Sequence, residues 1–190
     1  MFKDYIAVSP KTHMQFEFKN ASIDRVILIK TKKSIDHRGY FIKGFELKPF
    51  SPFLRDSFVE DYISQSKKNV LRGLHYQIEP KAQGKYITVL TGKILDVAID
   101  INKKSKTYQK FSMNELSPLG WDSVWIPKGF AHGFLSMDDN TLVLNRCTDE
   151  FDPNLERGIR WNDPFFEIDW PLGDPIISEK DSSWRLWSQE

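Results

Sequence analysis

Arg72, His75 and Lys85 fall in one short stretch of the chain, Lys68–Lys85, which reads KNVLRGLHYQIEPKAQGK. An arginine presents a planar fork suited to a pyrophosphate, a lysine presents a compact charge for the same task, and an imidazole is a base near neutral pH. The stretch opens on apolar Val70-Leu71 and turns through Gly73; after a loop containing Pro80, Gln83-Gly84-Lys85 runs into Tyr86–Leu90, which has the composition of a strand. The cations and the imidazole therefore stand at the ends of β-segments, where a strand–loop–strand unit can aim them into one concavity. The same residues also fit a surface hairpin with incidental charges, and the stretch alone does not choose between the two.

The elements that must position these groups are β-strands. The 190 residues suit one domain with a real core. Arg25–Ile29 is the first clear strand; the chain up to residue 22 has weak periodicity and reads as an N-terminal arm, leaving 23–190 as the domain. Asp36-His37-Arg38-Gly39 is a turn, and Tyr40–Ile42 resumes β character. A helical turn is expected between Pro49 and Asp56, with Ser51 as its cap. From Lys93 to Ile101 the chain alternates: Leu95, Val97, Ile99 and Ile101 share one face, and Ile94, Asp96, Ala98 and Asp100 the other. The two acids predict that the second face meets water or a polar cavity. Further short strands follow to about Thr148, and a tail rich in Trp and Pro is expected to lie over them. The pattern predicts an all-β barrel or sandwich.

Charge and cysteine usage narrow the function. Lys and Arg number 27 against 26 Asp and Glu, a net charge of +1. That balance argues against a nucleic-acid or membrane-surface partner, either of which favours a basic excess. The single cysteine, Cys147, allows no internal disulfide and suits a reducing compartment. No apolar run approaches the ~20 residues of a membrane span, and MFKDYIAVSPKTH lacks a signal peptide's apolar region. A cytoplasmic protein is expected.

Several motifs occur in order: DHRGYF, VLRGLHYQ, AQGKYITVLTGKILDVAID, WIPKGFAHGF, CTDEFDP, ERGIRWNDP, IDWPL and ISEKD. From roughly Arg25 to Asp181 they closely resemble the dTDP-4-dehydrorhamnose 3,5-epimerases, which are cupin-type jelly rolls (double-stranded β-helix barrels) with short helical and irregular C-terminal segments. The resemblance implies an isomerase acting on a nucleotide-linked 4-keto-6-deoxy sugar. A proton next to the ketone is removed, and the enolate is reprotonated on the opposite face. That chemistry needs a base, an opposed acid and a cation near the developing oxyanion. His75 matches the family's base, Asp181 the carboxylate that orients it, and Lys85 the cation. Arg72 matches a pyrophosphate or sugar contact, Gln83 is expected among the substrate-binding residues, and His132 lines the same cavity. Arg38 and Phe41 match the nucleotide site, and Phe151 the aromatic that stacks on the base. The resemblance further implies a homodimer with an exchanged N-terminal strand that completes the partner's site. No cofactor is implied, and His75 and His132 without an H-x-H pair make no metal set.

The chain departs from the family at three points. Asn145 stands where the family carries its acid, a tyrosine. Alternation puts Val143, Asn145 and Cys147 on one face, so Asn145 is expected to point into the cavity. An amide donates a hydrogen bond but does not give up a proton. The replacement donors are Cys147, Tyr62 or a water held by Asn145, the water being favoured, with inversion at one sugar carbon the expected result. The second departure is Glu60-Asp61-Tyr62 ahead of Ser64 and Ser66, where the family carries Gln-x-Asn; the third is Lys43 in place of a glutamate. Glu60 and Lys43 could read guanine, or next cytosine, in place of thymine, or could simply pair with each other. Other outcomes on this scaffold are a ketoisomerase or tautomerase, which needs no opposed acid, and a binding protein without catalysis. Retention of His75, Lys85 and Asp181 argues against the last. Asp181→Asn is expected to be milder than His75→Ala, since it leaves the imidazole in place.

Overall fold

The computed structural model describes residues 15–187. Its larger sheet has six antiparallel strands in the order β1 (Phe16–Asn20), β2 (Ile27–Thr31), β10 (Ser123–Ile126), β7 (Lys85–Thr91), β12 (Thr141–Cys147) and β5 (Glu60–Ser66). The second has five, in the order β13 (Glu156–Gly158), β6 (Leu71–Gln77), β11 (Phe130–Ser136), β8 (Ile94–Asp100) and β9 (Phe111–Leu116). A separate hairpin joins β3 (Lys33–Asp36) and β4 (Gly39–Ile42), and two short helices are α1 (Leu47–Phe50) and α2 (Glu179–Ser182). This is the expected cupin-type jelly roll.

Alternation sorts the side chains into layers. Leu28, Ile87, Val89, Ile94, Ala98, Val124, Phe130, Phe134 and Val143 fill the space between the sheets. The alternate residues of β2, β7 and β10, namely Ile27, Ile29, Tyr86 and Trp125, face outward into an aromatic layer with Phe16, Phe50 and Leu54. Leu95, Val97 and Ile99 face outward from the other sheet and are covered by Trp161, Phe166, Trp170 and Trp187 of the C-terminal segment. A strand buried on both faces reads as a continuous apolar run, which explains β2.

Three local expectations need correction. Within the described part of the supposed arm, Phe16–Asn20 is an edge strand paired residue for residue with Ile27–Thr31; the preceding residues lie outside the described ones. It is held by tertiary contacts, Phe16 edge-on to Phe50 at 5.1 Å. The helical turn comes earlier than expected, and Ser51 closes it, donating its N–H to Leu47 O at 2.9 Å. The acid-bearing face of β8 is buried: Asp96 bonds His132, and Asp100 accepts from Ser105, Thr107 and the Asn102 N–H.

One close approach fixes the site's floor. Gly73 has φ +118°, and a Cβ there would lie 2.6 Å from Gly133 Cα. A bulge between His132 and Phe134 accompanies it. Strands β6 and β11 thus touch backbone to backbone, with His75 and His132 directly paired across them.

Candidate active site

The cavity, of about 550 Å³, is the polar end of the barrel interior. Lys85 follows the inward phase of Ile87 and Val89, and Asn145 that of Val143; His132 sits between inward Phe130 and Phe134. A change of residue type, with the strand unbroken, turns a dry core into a ligand-sized chamber.

On the five-stranded wall, His75 Nε2 lies 2.7 Å from Asp181 Oδ1. With the carboxylate ionised, Nε2–H donates to it and Nδ1 keeps the lone pair of a base. Asp181 Oδ2 accepts the Gly73 N–H at 3.1 Å, and the Asp181 N–H donates to Ser178 Oγ at 3.1 Å, an N-cap that fixes α2. Asp181 is only 4 % exposed. Burial acts to raise its carboxyl, but the hydrogen bond and charge of His75, the Gly73 N–H and Lys180 together hold it below the usual carboxylate range. A second imidazole–carboxylate contact lies beside it: His132 Nε2 to buried Asp96 Oδ2 at 2.6 Å.

On the six-stranded wall, Lys85 is 9 % exposed. Burial pulls its ammonium below the ordinary value, against the Glu156 and Glu60 carboxylates, which act to raise it. Asn145 lines the cavity with one long bond of its own, Nδ2 to Val143 O at 3.4 Å, and stands in register with Tyr62 on β5. Arg72 reaches across to this wall, donating Nε–H to Ser66 Oγ at 3.0 Å and Nη2–H to Gln65 O at 2.9 Å. At the outer end Glu60 Oε2 accepts the Phe151 N–H at 2.7 Å, and Gln83 Nε2 donates to Asp149 O at 2.8 Å.

The cavity therefore brings together His75, Asp181, Lys85, Asn145, Arg72, His132, Glu60, Tyr62, Ser64, Gln83 and Phe151. Arg38, Phe41 and Lys43 stand outside it. They belong to or follow the β3–β4 hairpin, which among the described residues forms a two-stranded sheet of its own: Arg38 pairs with Asp36 at 2.6 Å, Phe41 is 64 % exposed, and Lys43 pairs with Glu46 at 3.2 Å and not with Glu60. Cys147 is buried beneath the cavity without lining it, and burial pushes its thiol up to about 11. Ser178 and the Lys180–Glu156 ion pair, 2.9 Å, also line the chamber and were not foreseen. The spacing Ser178-x-x-Asp181 is a helix-capping pattern that could have flagged the first. Among the described residues no three His, Cys, Asp or Glu side chains gather as metal ligands.

The arrangement offers an oriented base, an opposed buried ammonium and a cationic fork in one chamber. Comparison with known proteins finds sugar-nucleotide epimerases. A relative from Methanothermobacter thermautotrophicus, described as a dTDP-4-dehydrorhamnose 3,5-epimerase, is 43 % identical over 175 residues, 90 % of this chain and 94 % of the relative. The solved dTDP-6-deoxy-D-glucose-3,5-epimerase of Legionella pneumophila, in complex with dTDP-4-keto-L-rhamnose, superposes with a TM-score of 0.85 at 40 % identity, covering 90 % of this chain and 92 % of that one. ChmJ, a 3'-monoepimerase of Streptomyces bikiniensis in complex with dTDP-quinovose, is similar at TM-score 0.80 and 25 % identity, covering 87 % and 85 %. The family description dTDP-4-dehydrorhamnose 3,5-epimerase matches residues 20–189. The chain belongs to the dTDP-4-dehydrorhamnose 3,5-epimerase family.

Proposed function

We propose that this protein epimerises a thymidine-diphosphate-linked 4-keto-6-deoxy sugar. His75 takes a proton from a carbon beside the ketone, Asp181 holds the imidazole in the competent tautomer, and Lys85 stabilises the enolate oxygen. The observation that carries this reading is the 2.7 Å His75–Asp181 contact on the wall facing buried Lys85. Arg72 and His132 hold the diphosphate and sugar, and Phe151, at the chamber's outer end, stacks on the base. Thymine is favoured over guanine because Glu60 already spends one carboxylate oxygen on the Phe151 N–H, 2.7 Å, and Lys43 is elsewhere. A guanine edge needs both oxygens for a fork.

The protein works as a homodimer. The β3–β4 hairpin projects Ile35, Tyr40 and Phe41, each more than 60 % exposed, away from its own chamber. That apolar surface suits burial against a second copy, whose site Arg38 and Phe41 would complete. A monomer by light scattering at micromolar concentration overturns this.

The catalytic reading is tested by deuterium uptake at the sugar's C3 and C5 in D2O. The unmodified protein exchanges at one or both carbons, and His75→Ala lowers exchange by about 10²–10⁴-fold while dTDP binding persists. Full exchange by His75→Ala sinks it.

A further inference from the structure

If His75 removes the proton, as proposed above, inversion demands a donor on the opposite wall, and Asn145 is no acid. The six-stranded wall presents Glu60, Tyr62, Ser64, Lys85 and Asn145 to the chamber. Glu60 is held at the chamber's outer end by the Phe151 N–H, 2.7 Å. The Ser64 hydroxyl and Asn145 amide donate hydrogen bonds without releasing protons near neutral pH. Lys85 is occupied with the enolate oxygen, and Cys147 does not reach the chamber.

Tyr62 stands apart. It pairs directly with Asn145 across β5 and β12. Side chains of such a pair leave the sheet on the same face, with Cβ atoms about 4.5–5.5 Å apart. A phenol on Tyr62 therefore serves the same patch of wall as a side chain on Asn145. We propose that Tyr62 is the acid of this epimerase, delivering the proton to the enolate carbon on the face opposite His75.

Burial around the hydroxyl, with Cys147, Glu60 and Glu156 nearby, raises the phenol above its ordinary value, so it keeps its proton through the neutral range and gives it up only to a strong base such as the enolate carbon. Arg72 acts in the other direction and favours the phenolate left after transfer. The residue is 42 % exposed, which gives solvent a route to reload it.

The step balances. The C–H bond beside the ketone breaks, its proton passes to His75 Nδ1, and its electron pair becomes the enolate. The Tyr62 O–H bond then breaks, and the enolate pair takes that proton on the other face. Tyr62 is left a phenolate and His75 an imidazolium; one solvent proton gained and one lost restore both.

The test separates exchange from inversion. In D2O, Tyr62→Phe keeps deuterium uptake with retained configuration, because return through His75 persists, while inversion falls by at least about 10²-fold. The exchanged pair Tyr62→Asn with Asn145→Tyr recovers inversion to within about tenfold of the unmodified protein, the phenol having moved one strand along the same wall. A dTDP-dependent thermal shift in each variant shows that the chamber is intact. Inversion by Tyr62→Phe at the original rate overturns the assignment, as does joint loss of exchange and inversion with dTDP binding preserved, which would make Tyr62 a sugar-positioning group. Absence of exchange in the unmodified protein overturns the epimerase reading itself, whatever Tyr62 does.

Discussion

Asp181→Asn poses the imidazole a choice that can be priced. The carboxylate accepts from two donors at once, the His75 imidazole at 2.7 Å and the Gly73 N–H at 3.1 Å. An asparagine has one acceptor oxygen. If that oxygen stays on His75, the amide NH2 confronts the Gly73 N–H, leaving a buried donor unpaired at a cost of about 1–3 kcal/mol. If it turns to Gly73, the NH2 faces Nε2, which must then accept, and the proton moves to Nδ1, where the base needs its lone pair. Nδ1–H can still bond water in the chamber, so the second arrangement wins. The competent tautomer is thereby depleted by about 5–150-fold, and the lost negative charge weakens the imidazolium further. Deuterium uptake should fall by about 10²–10⁴-fold, with little change in KM, as measured by NMR of the sugar protons in D2O. Uptake within tenfold of the unmodified protein would refute the two-donor account.

Three other outcomes are expected. Gly133→Ala puts a Cβ 2.6 Å from Arg72 O and 2.8 Å from Leu74 Cδ2; it should cost about 1–3 kcal/mol, lower Tm by about 2–12 °C and slow exchange, and an unchanged Tm refutes the close approach. Because Asp181 titrates below its ordinary 3.8 when folded, its contribution to stability is full above about pH 5 and is lost as pH falls through the folded value. The Tm gap between unmodified protein and Asp181→Asn should therefore narrow below about pH 4, and a constant gap contradicts the sign. A nucleotide at 100 Kd adds about 2.7 kcal/mol, roughly 5–10 °C in Tm; dTDP should reach that shift at lower concentration than GDP, and equal potency would show that Glu60 does not discriminate.

Much of this site was legible because it rests on alternation. The period of two sorted Ile94–Asp100 into its two faces without telling that the acid-bearing one is the buried interior, and through Val143–Cys147 it turned Asn145 toward the cavity it lines. Local signals failed where tertiary contacts decide. Phe16–Asn20 has only Phe16 and Phe18 as apolar side chains, and both are held by Phe50, which lies 34 residues from Phe16 in sequence. The milder outcome expected for Asp181→Asn omitted the Gly73 N–H, because nothing local links residues separated by 108 positions. The hairpin with Arg38, Phe41 and Lys43 carries site-like residues to a place that one chain's own chamber does not use. The Tyr62–Asn145 pairing needed the β5–β12 register, which period alone does not supply.

The location of Asp181 on α2, beyond the last strand, has a consequence for synthesis. A nascent chain that has emerged through β13 owns every strand of both sheets, and with them His75, Lys85 and the floor of the chamber. It does not yet own the carboxylate that bonds His75 at 2.7 Å. A translation product cut short between Gly158 and Asp181 would lack the proposed orienting carboxylate, and with it part of the apolar cover over the five-stranded sheet. On the proposed mechanism the oriented base thus waits for a residue translated after every strand of both sheets, so turnover reports that later segment where nucleotide binding need not.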